Sequence, residues 1–431
     1  MKQENYDVVV IGAGIGGLSA ASLLAHRGYK TLVVERLPFV GGRCSNVEHN
    51  GFMPSTGAIA IEGEIKDVVF DELGIPFNVV SPQPQFYYYI DGKFHEVPDK
   101  GKLRAAINIA SGKKEADKVM DAMKHAITWL APPDSISLHD WLLQYTQNER
   151  TIGVFHSNFD TNVMPAGEFF RIIKRLGALP MGYAVGGNIA LMESLADVVR
   201  KNGDVRKLWQ VDRIVVEDGV AKGVIIRDRK GEDEDKIQVN CKVVVSNTGP
   251  KMTVKLAGEE NFERGYIAQM KETLKLPASW TTFQLASDEP LVDHSSIIAV
   301  CNMRRVNWIN CPTIICPELA PEGKHLTYGG GWVPSEGPPF DMDKELELNM
   351  EDMREIFPDF DKRAEIIHVG FFMGGWPMYH AWFGKNMPRR TPVVNLYNVG
   401  DGAWVEGTYG LIGCAISGKV VADEIQERIK A

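Results

Sequence analysis

Cysteine is scarce in this 431-residue chain. Six residues, Cys44, Cys241, Cys301, Cys311, Cys316 and Cys414, are too few for a disulfide scaffold at this length. There is no CxxC pair, and the five-residue step from Cys311 to Cys316 fits no common zinc spacing. The ten histidines form no HxH or HExxH, so no metal is expected. Positive charge is also short: 47 Lys+Arg against 56 Asp+Glu leave −9. That excludes a protein built to coat nucleic acid, which needs a basic face. No GxSxG surrounds Ser55, Ser246 or Ser417, so there is no nucleophile elbow, and no internal repeat is visible. With 44% apolar and 24% charged residues, the chain is not disordered. The uncharged run from Val8 to Ala25 approaches membrane-spanning length. Glycines interrupt it early, however, and Glu4 and Asp7 accompany Lys2 ahead of it, so it lacks the basic start of a secretion signal. A cytoplasmic chain is expected, with at most a peripheral membrane contact, since no basic amphipathic helix is evident.

Glycine is what the chain has in excess: 42 of 431, against an average of about 7%. The first cluster is Gly12-Ala13-Gly14-Ile15-Gly16-Gly17. It follows the β-branched run YDVVVIG, a buried strand, and precedes a helix over Leu18–Arg27 closed by Gly28. The strand TLVVER completes a βαβ unit. In such a unit Gly12 permits the tight turn, Gly14 lets backbone approach a pyrophosphate, and Gly17 lets helix and strand pack closely. The helix N-terminus offers N–H groups to phosphate. Glu35, at the end of the second strand, stands where an acidic residue takes ribose hydroxyls. Arg36 and the pair Gly41-Gly42 follow, and Arg43 is placed to neutralise phosphate.

The second cluster runs from Gly400-Asp401-Gly402 to Gly407-Thr408-Tyr409-Gly410-Leu411-Ile412-Gly413. It joins the strand PVVNLYNVGDG to a closing amphipathic helix with apolar residues at 412, 416, 420, 421 and 425. Asp401 would repel phosphate and suits sugar-alcohol hydroxyls, such as the ribityl chain of a flavin. The N–H groups after it suit negative charge on a reduced flavin ring. Between the clusters, Ser137 reads as a helix start before WLLQY, Asp218-Gly219 as a hairpin turn, and KVVVSNTG as another buried strand. Aromatic residues gather in the later half: Trp308, Tyr328, Trp332, Trp376, Tyr379, Trp382, Trp404 and Tyr409.

The segments VVVIGAGIGGLSAASLLAHRGYKTLVVERLPFVGGRCS, SNTGP and LYNVGDGAWVEGTYGLIGCAISG together resemble the FAD-dependent phytoene desaturase and flavin amine oxidase superfamily. The resemblance covers about a hundred residues and implies an α/β fold. A Rossmann-like FAD-binding domain (1–90, 181–265 and 385–431) would interleave with a sheet-plus-helix substrate domain (91–180 and 266–384). It implies non-covalent FAD on Gly12, Ala13, Gly14, Gly16, Gly17, Glu35, Arg36, Gly42 and Arg43. Val211 would read adenine through its backbone, with Thr248 and Gly249 in the turn after the SNTGP strand. Asp401 would meet the ribityl–phosphate region, Leu411 and Ile412 the flavin ring, and Gly57 and Ala58 would pass near it. Relatives commonly carry an acidic residue where this chain has Ser55. Trp404 and Tyr409 are the aromatics expected to face the ring, and His380 is the candidate base by neighbourhood. The activity expected is desaturation of a C–C bond in an apolar or cyclic small molecule by hydride transfer to flavin N5, with amine oxidation as the alternative. A non-redox flavin isomerase stays open. So does a GTPase-chaperone-like binding protein of the same fold, although the intact glycines, Glu35 and Asp401 argue against it. Oxygen, a quinone or another acceptor would reoxidise the flavin, and the oligomeric state is open.

Overall fold

Val8–Ile11 is apolar at every position, and the fold buries both of its faces. The computed structural model describes residues 2–176, 180–230, 236–275, 278–333, 341–372 and 381–431. Val8–Ile11 is the central strand of a five-stranded sheet ordered Leu396–Asn398, Val243–Ser246, Val8–Ile11, Thr31–Glu35, Gly203–Lys207. Every pairing in it is parallel, which accounts for the unbroken β-branched runs, since parallel strands are covered on both sides. Val8 and Val10 meet Leu18 and Leu23 of the helix Ile15–His26, Leu191 and Leu195 of Asn188–Arg200, and Val421 and Ile425 of Gly410–Arg428. Val9 and Ile11 turn the other way, onto Val211, Ile214, Val224 and Ile226. Those four residues belong to a second, four-stranded sheet, ordered Lys2–Asn5, Ile237–Asn240, Val220–Asp228, Trp209–Glu217.

The expected hairpin is present there. Asp218 and Gly219 both have positive φ, +49° and +74°, and the antiparallel strands Trp209–Glu217 and Val220–Asp228 flank them, as a primed two-residue turn requires. Ser137 caps the helix Leu138–Leu143 by accepting the N–H of Asp140 at 3.0 Å.

A seven-stranded sheet builds the other half: Ala364–Phe372, Trp280–Ser287, His325–Trp332, Trp308–Asn310, Ile297–Val300, Phe86–Ile90, Lys93–Val97. It is antiparallel apart from the parallel pairing of Ile297–Val300 with Phe86–Ile90. Alternation along Phe86–Ile90 separates its faces. Phe86, Tyr88 and Ile90 pack under the helices Lys102–Ser111, Lys113–Thr128 and Ala166–Leu176. Tyr89 packs with Met350 and Met353 of Met342–Ile356.

Two of the expected boundaries shift. Phe86–Ile90 is hydrogen-bonded in the seven-stranded sheet, although a boundary at 90 leaves it with the dinucleotide half. The helix Arg264–Thr273 packs through Tyr266, Ile267 and Met270 onto the Val9 face of the parallel sheet, beyond the boundary at 265. Apolar periodicity shows that an element is buried without showing which sheet buries it. Among the described residues, no helix is long and apolar enough to cross a membrane.

Candidate active site

The two glycine clusters meet. A Cβ at Gly16 would lie 2.8 Å from the Gly400 Cα, so that position has no room for a side chain, and one at Gly14 would lie 2.5 Å from Asn247 Nδ2, which would have to move aside. Gly41 ties the second glycine pair to the first cluster by donating its N–H to the Ala13 carbonyl at 2.7 Å. Gly42, beside it, has φ +56°. The helix Ile15–His26 begins at Gly14, and Gly410–Arg428 begins at Tyr409. Neither has a side-chain cap or an acidic residue in its first turn, so both N-termini carry partial positive charge; that of Ile15–His26 suits an anionic ligand, and that of Gly410–Arg428 has the Glu62 carboxyl beside it. Glycines that admit backbone only, between two such termini, fit an extended dinucleotide such as FAD.

Asn247 is the residue that motif reading passed over. It lies in the SNTGP turn, its N–H bonds to the Ile11 carbonyl at 2.8 Å, and its side chain borders Gly14, Gly16, Gly17 and Gly400 together. Its neighbours Thr248 and Gly249 lie in the same turn. The Thr248 hydroxyl is 2.9 Å from the Ser246 hydroxyl, and Gly249 starts the helix Pro250–Ala257.

Glu35 is 4% exposed. Its two carboxylate oxygens accept the N–H groups of Ala13 at 2.7 Å and Leu37 at 2.8 Å. Burial raises its pKa, against these two bonds. Each oxygen keeps a further lone pair for a ribose hydroxyl. The Arg36 carbonyl accepts from Arg229 at 2.8 Å. Leu208 donates to the Leu37 carbonyl, which brings the strand carrying Val211 beside Glu35. The Val211 side chain is buried in the core between the sheets, and the residue pairs with Ile226 across the hairpin.

Arg43 and Asp401 pair at 2.7 Å, and the Ala381 N–H donates to the other Asp401 oxygen at 2.8 Å. The expected ribityl acceptor is thus already engaged by the expected phosphate cation. Gly57 and Ala58 lie against Arg43. The Ala58 N–H bonds to the Arg43 carbonyl at 2.8 Å, and a Cβ at Gly57 would be 2.7 Å from that carbonyl. Ser55, in place of an acid, donates its hydroxyl to the Ala58 carbonyl and accepts the Gly57 N–H. Gln284, far along the chain, accepts the Ser55 N–H and donates to the Ser55 carbonyl, both at 2.7 Å. The loop carrying Ser55, Gly57 and Ala58 is therefore held from the seven-stranded sheet.

The aromatic residues divide. Trp332, Trp382, Phe383, Trp404 and Tyr409 form one set together with Phe159: Phe383 lies 5.7 Å from Tyr409 and 6.2 Å from Trp404, and Trp332 lies 6.2 Å from Trp382. Trp280 extends it from Trp332 to Phe372, next to Gly57. Trp308 and Tyr328 belong to a separate cluster with Phe52. Trp404 is 2% exposed and gives its indole N–H to Cys414 Sγ at 3.2 Å, so it is wall rather than polar contact. Tyr409 is partly buried at the start of the closing helix. His380, Trp376 and Tyr379 lie outside the described residues. Leu411 is half-buried. Ile412 is 1% exposed within the core behind it, so only its backbone is available to a ring. Burial pushes the Cys414 thiol up to about 12, and a neutral thiol is a poor nucleophile for flavin attachment.

A family model described as flavin containing amine oxidoreductase matches residues 15–426. A solved oxidoreductase from Methanosarcina mazei superposes with a TM-score of 0.85 at 29% identity, over 97% of this chain and 100% of that one. An uncharacterized protein from Methanocaldococcus jannaschii is 26% identical over 94% of this chain and 96% of its own length. A neurosporene-forming phytoene desaturase from Rhodobacter capsulatus is 27% identical over 57% of this chain, and the match spans 53% of the desaturase. The chain belongs to the flavin-containing amine oxidoreductase family and is an FAD-dependent oxidoreductase.

Proposed function

We propose that the protein desaturates a C–C bond of an apolar or cyclic small molecule. The observation that carries this reading is the aromatic wall of Trp280, Trp332, Trp382, Phe383, Phe159 and Tyr409, which runs from Phe372 beside Gly57 to the start of the closing helix. No side chain in that wall carries a charge, so it suits a substrate recognised by shape and burial. FAD, when bound, supplies the hydride acceptor.

In this reading Gly12, Ala13, Gly14, Gly16, Gly17 and Asn247 surround the pyrophosphate. Glu35, Arg36 and Val211 hold the adenosine end. Arg43 and Asp401 meet the phosphate–ribityl stretch, and Gly57, Ala58 and Leu411 border the ring. Trp404 backs the wall, and Tyr409 stacks edgewise on Phe159 and Phe383, an apolar packing suited to excluding water from the reacting C–H. The substrate loses one hydrogen as hydride and its neighbour as a proton.

Amine oxidation is the second reading. Tyr409 and Phe383 form an edge-to-face pair 5.7 Å apart, and the face of an aromatic ring is able to attract an alkylammonium group. Anaerobic mixing of the holoprotein with separate isoprenoids, cyclic ketones and amines tests both. Desaturation predicts bleaching of the yellow colour by an isoprenoid or cyclic ketone and a product two hydrogens lighter. Bleaching by amines alone rejects desaturation.

A further inference from the structure

Glu62 is a buried carboxyl beneath the first turn of the helix Gly410–Arg428. It is 4% exposed, and its oxygen Oε1 lies 3.0 Å from where a Cβ on Gly410 would be. Its other oxygen, Oε2, is buried without a hydrogen-bond partner. Neighbouring titratable groups come from each element around it: Glu64 on its own segment, Cys44 after the second strand, and Tyr409 and Cys414 from the closing helix. None of these supplies positive charge, and among the described residues no Lys, Arg or His pairs with Glu62. What favours the ionised form is backbone: its own N–H and that of Leu411, at the positive end of the helix. Burial opposes them, with Glu64 adding repulsion, and the carboxyl is pushed up to about 7.

We propose that Glu62 is a proton-exchanging group of the redox centre, gaining a proton when the bound flavin is reduced and releasing it on reoxidation. The inference rests on the flavin ring lying against Leu411, as set out above, and holds for either substrate class. Two electrons arrive from the substrate C–H bond. With Glu62 ionised beforehand, two protons accompany them, one onto the cofactor and one onto Glu62. Negative charge growing at the helix N-terminus makes the ionised carboxylate less favourable, so the proton binds there. Where Glu62 is already protonated, below its oxidised-state pKa, reduction takes up no proton at this residue. Glu62 acts through the field at the helix end, as a positioning residue for charge.

Midpoint potentials of the FAD-loaded protein, measured against pH in wild type and Glu62→Gln, test this. Just above pH 7 the wild-type reduction equilibrium should change by an extra tenfold per pH unit relative to the variant, about 30 mV for a two-electron couple, and below that range the slopes should agree. Equal slopes throughout overturn the proposal. Should Glu62→Gln fail to fold or to hold FAD, redox-difference infrared spectroscopy of wild type decides instead. A protonated-carboxyl band should appear on reduction above pH 7 and move in Glu62→Asp, and its absence overturns the proposal. Leu411→Lys separates the two layers. If it leaves the potential unchanged, the ring placement fails and the proposal with it. If it raises the potential while the wild-type and Glu62→Gln slopes are equal, the Glu62 proposal fails alone.

Discussion

Arg43 and Asp401, near opposite ends of the chain, form an ion pair at 2.7 Å across the junction of the two glycine clusters. Asp401 is 8% exposed at its side chain and Arg43 28%, so the carboxylate depends on its partner. Among the described residues, Arg43→Ala leaves Asp401 with the Ala381 N–H. Losing a charged hydrogen-bond partner costs about 1–3 kcal/mol. FAD titration of the apoprotein should show affinity falling by about tenfold or more, with Arg43→Lys intermediate because it keeps the charge without the fork. Wild-type affinity in Arg43→Ala removes the pair from the cofactor site.

Asn247 borders four glycines of the cradle. Asn247→Asp keeps the shape and adds negative charge where the pyrophosphate is proposed to lie. FAD binding should weaken by about tenfold or more at low salt and partly recover at high salt. Unchanged, salt-insensitive binding would place the phosphates elsewhere.

Gln284 holds Ser55 through two hydrogen bonds between buried residues. Gln284→Leu strands a backbone N–H and a carbonyl, costing about 2–6 kcal/mol in total at about 1–3 kcal/mol per unmade bond. Denaturant unfolding should show that loss, together with a shifted flavin absorption band as the Gly57 loop relaxes. A loss in stability with an unaltered flavin band would mean the loop does not border the ring.

Local features were legible because neighbouring residues define them: the Gly12–Gly17 turn with its strand and helix, the Asp218-Gly219 hairpin, and the Ser137 cap. Asn247, Gln284 and Glu62 carry no local signal, because their meaning lies in partners far along the chain. Asn247 resembles any turn asparagine until Gly14 and Gly400 are seen around it. The strand Gly203–Lys207 reads as continuous with the hairpin after it. Yet it pairs with Thr31–Glu35 in the parallel sheet, because Leu208, at φ +64°, breaks the run. The aromatic residues were legible as a group but not as two clusters, since composition carries no information about which face of a sheet each ring occupies.

Glu62 also sets a pH dependence of stability. Its pKa is raised on folding, from 4.5 to about 7, so the native state holds the proton more tightly than the unfolded chain. The stability it contributes is complete below about pH 4.5 and is lost as pH rises through about 7, on the order of 3 kcal/mol in all. Thermal unfolding followed from about pH 5 to about pH 8 should show this decline in wild type and a flatter profile in Glu62→Gln. Parallel profiles would mean that Glu62 is ionised in the folded protein.

The central claim is that two glycine clusters at opposite ends of the chain converge on one FAD. FAD content per chain, in wild type and in Gly16→Val, tests it most directly, because a side chain at Gly16 would meet Gly400 of the other cluster. The prediction is a yellow wild-type protein with one FAD per chain, released intact on denaturation, and a folded Gly16→Val variant without it. A colourless wild type that stays empty with added FAD, or a Gly16→Val variant that retains its full complement, would contradict the account.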